Sequence, residues 1–208
     1  MGSTIFDCAS IEEAKSIILT PEMGLSTDER WTQETQWLSD QLDFVPLDMV
    51  VDYGCGIGRM SKAMVDRTSC CVVGVDQSAS MRAMATTYVG NPEWFQAVTP
   101  RFFNCMVENA FLADGGLTVW CLQHIPMPIL DGVMRTLKAG ISPGGTLWTM
   151  ERPERFVPVR EGQIWGWADD GVSVFERLDH HGFTSVSAMP VPETLCQPGA
   201  MLRKWRNG

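Results

Sequence analysis

Residues 50–60 read VVDYGCGIGRM, and no other stretch restricts the fold so strongly. Met49-Val50-Val51 is a short apolar run halted at Gly54, the pattern of a buried strand. Arg59 to Asp66 follows as a helix with Met60, Ala63 and Met64 inward. Three alternating glycines stand between them, where the chain turns with positive φ or lies bare against a ligand. The helix behind them offers free backbone amides. The dinucleotide pattern G-x-G-x-x-G needs a third glycine where Arg59 stands. What remains is an acid-x-G-x-G-x-G series running from Asp52 to Gly58.

The strand–helix alternation continues along the chain. Cys71 to Val75 reads as a second strand, and Ser78 caps a helix through Tyr88. Trp94 to Val98 gives a third strand, and Arg101 to Ala110 a helix. Leu117 to Leu122 is a fourth strand, followed by a helix with Leu130, Met134 and Leu137 inward and Gly140 as its stop. Pro143-Gly144-Gly145 reads as a turn before a fifth strand, Thr146 to Met150. Gly171 to His180 is a helix, and Phe183–Met189 and Met201–Trp205 close the sheet. At the front, Ser10-Ile11-Glu12-Glu13 and Ser26-Thr27-Asp28-Glu29 both fit the capping box, the second opening a helix to Leu42. Such alternation implies a doubly wound α/β domain, its sheet mostly parallel and covered on both faces. Its chemistry belongs at the carboxyl ends of the strands.

Charge and thiols narrow the partners. A net charge of −9 with no basic run opposes a phosphate backbone, so nucleic acid is not expected. No apolar stretch reaches the roughly 18 residues of a membrane span. The N-terminal residues lack the basic-then-apolar order of a secretory signal. Seven cysteines, an odd number without a C-x-x-C pair, read as reduced thiols of a cytoplasmic protein. Three histidines and the carboxylates of Asp114 and Glu151 make no convincing metal set, so no metal is expected.

Asp76 ends the second strand, 18 residues after Gly58. A carboxylate there can accept hydrogen bonds from both ribose hydroxyls and would repel a 2′-phosphate, so the expected ligand is a nucleoside with a free ribose. VVDYGCGIG and VVGVDQS, together with WCLQHIP at 120–126 and the Leu-Lys-x-Gly-x-x-Pro-Gly-Gly series ending at Gly145, resemble motifs of the class I S-adenosylmethionine-dependent methyltransferases. The resemblance spans Val50 to Met150. It implies a seven-stranded, Rossmann-like sheet with its last strand antiparallel. It also implies one domain over residues 1–208, with 1–45 a helical lid and 46–208 the α/β core.

By the same resemblance, Gly54, Gly56 and Gly58 let the loop pass the methionine part of S-adenosylmethionine. Asp52 orients that loop and reaches the cofactor's amino group through water, Asp76 holds the ribose, and Gln77 and Met81 flank the adenine. Trp120 and Cys121 border the methionine end. Arg30 pairs with the cofactor carboxylate, and S-adenosylhomocysteine is the product. The acid that many members place after strand three is missing from QAVTPRF, which leaves the adenine amine unassigned. His124 is the candidate base or substrate contact, against a plain turn-capping role. Trp31 either covers the site or packs in the core, and Trp165 and Trp167 either line an acceptor pocket or pack.

The implied activity is methyl transfer to oxygen or nitrogen of a small molecule, with the oligomeric state left open. Two other readings stand beside it. One is a non-catalytic S-adenosylmethionine binder. The other is a nicotinamide-dependent reductase, opposed by Arg59 and by the lack of a Tyr-x-x-x-Lys pair.

Overall fold

A computed structural model describes residues 6–125, 127–152 and 172–208. The expectations for Trp165 and Trp167 lie outside the described residues. Two helices lead, α1 (Ile11–Ile18) and α2 (Thr27–Gln41). Alternation then runs through β1 (Met49–Tyr53), α3 (Arg59–Thr68), β2 (Cys71–Val75), α4 (Ala79–Val89), β3 (Phe95–Val98) and α5 (Pro100–Glu108). It continues with β4 (Ala113–Val119), α6 (Met127–Gly140) and β5 (Ile141–Glu151), and closes with α7 (Val174–His180), β6 (Phe183–Pro190) and β7 (Met201–Asn207).

These strands form one sheet of order β3-β2-β1-β4-β5-β7-β6. The pairs among β1 to β5 are parallel, and β7 is antiparallel to both neighbours, as the resemblance implies. Successive side chains on a strand point to opposite faces. Val50 and Val72 therefore join Leu38, Met60 and Met64 under α2 and α3, while Val51 and Val73 join Phe103, Leu130 and Met134 under α5 and α6. The strands read as unbroken apolar runs because both faces are covered.

Ser26 and Glu29 form the full capping box of α2. At α1 only half of it forms: Ser10 accepts the Glu13 amide, but the Glu13 carboxylate accepts from Ala9. Glycine misplaced two strand boundaries. β4 starts four residues earlier than expected and includes Gly115 and Gly116, which fall outside the expected strand. A Cβ on Gly115 would lie 2.5 Å from Phe44 and 2.9 Å from the Thr146 carbonyl oxygen, so close packing demands glycine there. β5 likewise runs through the expected turn at Pro143-Gly144-Gly145, taking it up as an irregularity between the Ala113–Ile141 and Gly115–Thr146 pairs.

Phe103 is fully buried, with Tyr53 and Phe111 packed edge-on against it. Phe103→Ala is expected to cost about 3–5 kcal/mol, because the rigid sheet cannot collapse into the gap. Urea denaturation of the variant beside the parent measures it.

Candidate functional site

The tips of β1, β2 and β4 open into a cavity of about 650 Å³. Eight residues nominated by the sequence line it: Gly54, Gly56, Asp76, Gln77, Met81, Trp120, Cys121 and His124. The glycine loop is tied to β2, since the amides of Gly54 and Cys55 both donate to the Val75 carbonyl, at 2.7 and 3.1 Å. Asp76 fastens the next residue. Its Oδ2 accepts the Gly56 amide at 3.0 Å and its Oδ1 the Ser78 amide at 2.8 Å. Burial raises its pKa above the ordinary carboxylate value, opposed by those two amides. Ser78 in turn caps α4 by accepting the Met81 amide, and donates to Asp7 at 2.9 Å.

The glycines answer to protein neighbours more than to bare space. Gly54 has φ +82°, and a Cβ on it would sit 2.2 Å from the Cys121 sulfur. A Cβ on Gly56, at φ +54°, would meet Ile18 of α1 at 2.8 Å. The positive φ expected of the loop is present at Gly54, Gly56 and Gly58, and protein side chains crowd them as well. Phe6, Ile17 and Ile18, which the sequence reading did not nominate, form a wall of the cavity.

Several nominated residues stand elsewhere. Gly58 lies outside the cavity lining, caps α3, and packs on Val89 and Ala85. Asp52 is buried beneath the loop and accepts the Ser61 hydroxyl at 2.6 Å. Burial pushes its carboxyl up to about 6. It braces α3 and does not face the cavity, so a contact from it to a ligand is not what the fold builds. Arg30 is also turned inward, 2.6 Å from Glu22 and donating to the Thr20 carbonyl at 2.9 Å. Those partners occupy it, and a role on a ligand carboxylate is corrected to a role in the core. Trp31 packs with Ala14, Leu19, Ile57 and Met81, and its indole N–H donates to the Tyr88 hydroxyl at 3.2 Å. It is core, not a cover.

Two carboxylates that the reading left without a role organise the rest. Glu34 is fully buried on α2. Its Oε1 accepts from Arg59 at 2.8 Å and from the Trp120 indole at 2.9 Å, and Arg30 lies 3.5 Å from its Oε2. The spacing of Arg30 and Glu34, i and i+4 on a helix, was the available signal. Trp120, at φ +51°, is held at the tip of β4 by this bond and by its own amide donating to the Met150 carbonyl at 2.9 Å. Glu151, fully buried at the end of β5, accepts the amides of Cys121 and Leu122, both at 2.9 Å. Those bonds pull the chain out of β4 into a 3-10 turn at Leu122–His124, so the strand ends at Val119 and not at Leu122. Burial lifts the Glu151 carboxyl to about 7.

His124 sits on that turn at the cavity edge, near Phe6, its ring Nε2 3.1 Å from the Gln123 side-chain nitrogen. Gln123 Oε1 accepts from the Arg152 amide at 3.2 Å, so its NH2 faces the ring and donates to Nε2. The lone pair a base would use is thereby engaged. Among the described residues no group of three or more metal-ligating side chains converges, and no helix is long and apolar enough to cross a membrane.

Residues 50–145 match the family model described as a methyltransferase domain. The chain is 42% identical over 119 residues to trans-aconitate 2-methyltransferase of Azoarcus sp., covering 55% of this chain and 44% of that protein. It is 29% identical over 125 residues to carboxy-S-adenosyl-L-methionine synthase of Alteromonas mediterranea, covering 56% and 49%. The chain thus spans less than half the length of the curated relatives it matches. Among solved structures, the N-methyltransferase NodS from Bradyrhizobium japonicum with S-adenosyl-L-homocysteine superposes with a TM-score of 0.67, at 16% identity over 96% of this chain and 93% of that one. An S-adenosylmethionine-dependent methyltransferase from Mesorhizobium loti gives 0.64 at 18% identity, over 85% and 99%. At such identities the likeness is one of fold.

Two outcomes follow from the geometry. Gly54→Ala must both hold a strained φ and displace Cys121, whereas Gly144→Ala, at φ +81° with nothing within 4 Å, bears only the backbone strain of about 1–2 kcal/mol. Gly54→Ala should therefore be the less stable of the two in parallel urea titrations. Glu151 keeps its proton in the folded chain between its ordinary value of 4.5 and about 7, where the unfolded chain has lost it. Its contribution to stability is complete below pH 4.5 and declines as pH rises through 7. Glu151→Gln, which keeps a carbonyl for the amides, should lose less stability than the parent between pH 5 and 8.

Proposed function

We propose that this chain, whose residues 50–145 match a methyltransferase-domain model, is a class I S-adenosylmethionine-dependent methyltransferase that transfers a methyl group to oxygen or nitrogen of a small molecule. One observation carries the reading: the Asp76 carboxylate stands at the tip of β2, beside the glycine loop, over a single cavity. The residues present fit the cofactor. Each Asp76 oxygen accepts one backbone amide and retains a second lone pair for a ribose hydroxyl. About 650 Å³ falls within the roughly 300–1,000 Å³ of small-molecule sites.

When bound, the cofactor supplies a methyl group already activated by a positive sulfur. The chain's own task is alignment, which can contribute about 7–11 kcal/mol toward a transfer barrier. Asp76 holds the ribose, Gln77 and Met81 flank the purine, and Gly54 and Gly56 carry the amino-acid end. Trp120 and Cys121 form the wall at the tip of β4. Ile17, Ile18 and Phe6 exclude water on the side of residues 1–45, which we read as the lid over the 46–208 core. His124 contacts the acceptor at the rim. Its Nε2 bond to Gln123 leaves it poorly placed to remove a proton.

A small acceptor is supported by the size of the cavity and by the Azoarcus relative, whose name assigns it trans-aconitate. The net charge of −9 weighs against nucleic acid.

Calorimetry with S-adenosylhomocysteine and NAD tests the reading. The first should bind and the second should not; binding of NAD alone would return the reductase. Asp76→Asn keeps one carbonyl for the loop amides but loses the charge. Hydrogen bonds to a charged acceptor contribute about 1.5–3 kcal/mol each, so its S-adenosylhomocysteine affinity should fall at least tenfold. Asp76→Ala is the poorer probe, because it also releases the Gly56 and Ser78 amides.

A further inference from the structure

We propose that the cavity continues past the purine end of the cofactor site into a subsite between α5 and α6, and that this subsite takes an apolar substituent on the exocyclic amine of an adenosyl ligand. The proposal rests on the cofactor reading above. On α5, Pro100, Asn104 and Val107 line the same cavity as Asp76, at i, i+4 and i+7 on one helix face. From Pro100 to Glu108 that face runs about 12 Å, longer than a purine. Gly132, Val133 and Thr136 of α6 line the opposite wall. There is room beside α6: among the described residues, a Cβ on Gly132 would find only the Arg135 guanidinium within 4 Å, at 3.9 Å.

The tip of β3 explains why this end stays open. No acid stands there to draw a primary amine inward. The oxygens that do stand there are engaged by backbone amides. The Val98 carbonyl accepts from Asp76 at 3.2 Å, the Thr99 carbonyl from Phe103 at 2.9 Å, and the Thr99 hydroxyl from Phe102 at 3.0 Å. An adenosyl ligand with one amine hydrogen replaced by carbon keeps the other to donate to a remaining lone pair at this tip. Its substituent enters a groove walled by Val107 and Val133, with Glu108 and Arg135 at the mouth.

The test compares S-adenosylhomocysteine with the same molecule carrying a benzyl group on its exocyclic amine, by calorimetry and thermal melts. The parent protein should bind the two within tenfold of each other. Gly132→Leu sends a branched side chain into the groove at a helical position where leucine is the better helix former. It should fold, bind S-adenosylhomocysteine as the parent does, and bind the benzyl compound at least tenfold more weakly. Thr136→Phe, whose lost hydroxyl bonds only the Gly132 carbonyl of its own helix, fills the groove independently. A parent that binds the benzyl compound more than tenfold more weakly than S-adenosylhomocysteine overturns the subsite and leaves the cofactor reading intact. So do groove-filling variants that bind both compounds like the parent. A parent that binds neither compound overturns the cofactor reading, and the subsite with it.

Discussion

The site hangs on carboxylates that accept backbone amides at strand tips. Asp76 at the end of β2 gathers the amides of Gly56 and Ser78, and Glu151 at the end of β5 gathers those of Cys121 and Leu122. A parallel sheet stops its ladder at its carboxyl edge, where the departing chain has amides without partners. A buried acid is the compact way to collect several at once, and burial in turn strengthens each bond. Both loops that frame the cavity are therefore set by an acid belonging to a different strand from the loop itself.

A second set of charges joins the helical front of the chain to that frame. Glu22, Arg30, Glu34 and Arg59 form a buried run of ion pairs from the α1–α2 connection to the first turn of α3. Buried pairs of this kind add little net stability against an apolar substitute, yet losing one member is costly. What the run gives this fold is registry. Glu34 reaches both the helix that follows the glycine loop and the indole at the tip of β4, so α2 cannot shift without moving that helix and the Trp120 wall of the cavity.

The sequence reading succeeded where signals are local. Apolar runs and periodicity placed the helices and strands, and the Asp52–Gly58 series with Asp76 placed the cavity. It failed where partners come from afar. Gly115 and Gly116 fall outside the expected fourth strand because Phe44, Thr146 and Ile141, which crowd them, are distant in sequence. Arg30 and Trp31 read as site residues because their burial depends on Glu22 and on Tyr88, 57 residues away from Trp31. Glu151 could not be given its role, since nothing near it announces that three residues after β4 will turn their amides toward it.

Trp120 adopts a left-handed backbone, a conformation that suits glycine or asparagine and burdens a tryptophan. The fold accepts that burden and holds the residue from two sides, through its indole and through its amide. The residue best for the turn and the residue best for the wall are thus different. Glycine at position 120 would relieve about 1–2 kcal/mol of backbone strain, but it would take one donor from the buried Glu34 carboxylate and breach the cavity wall.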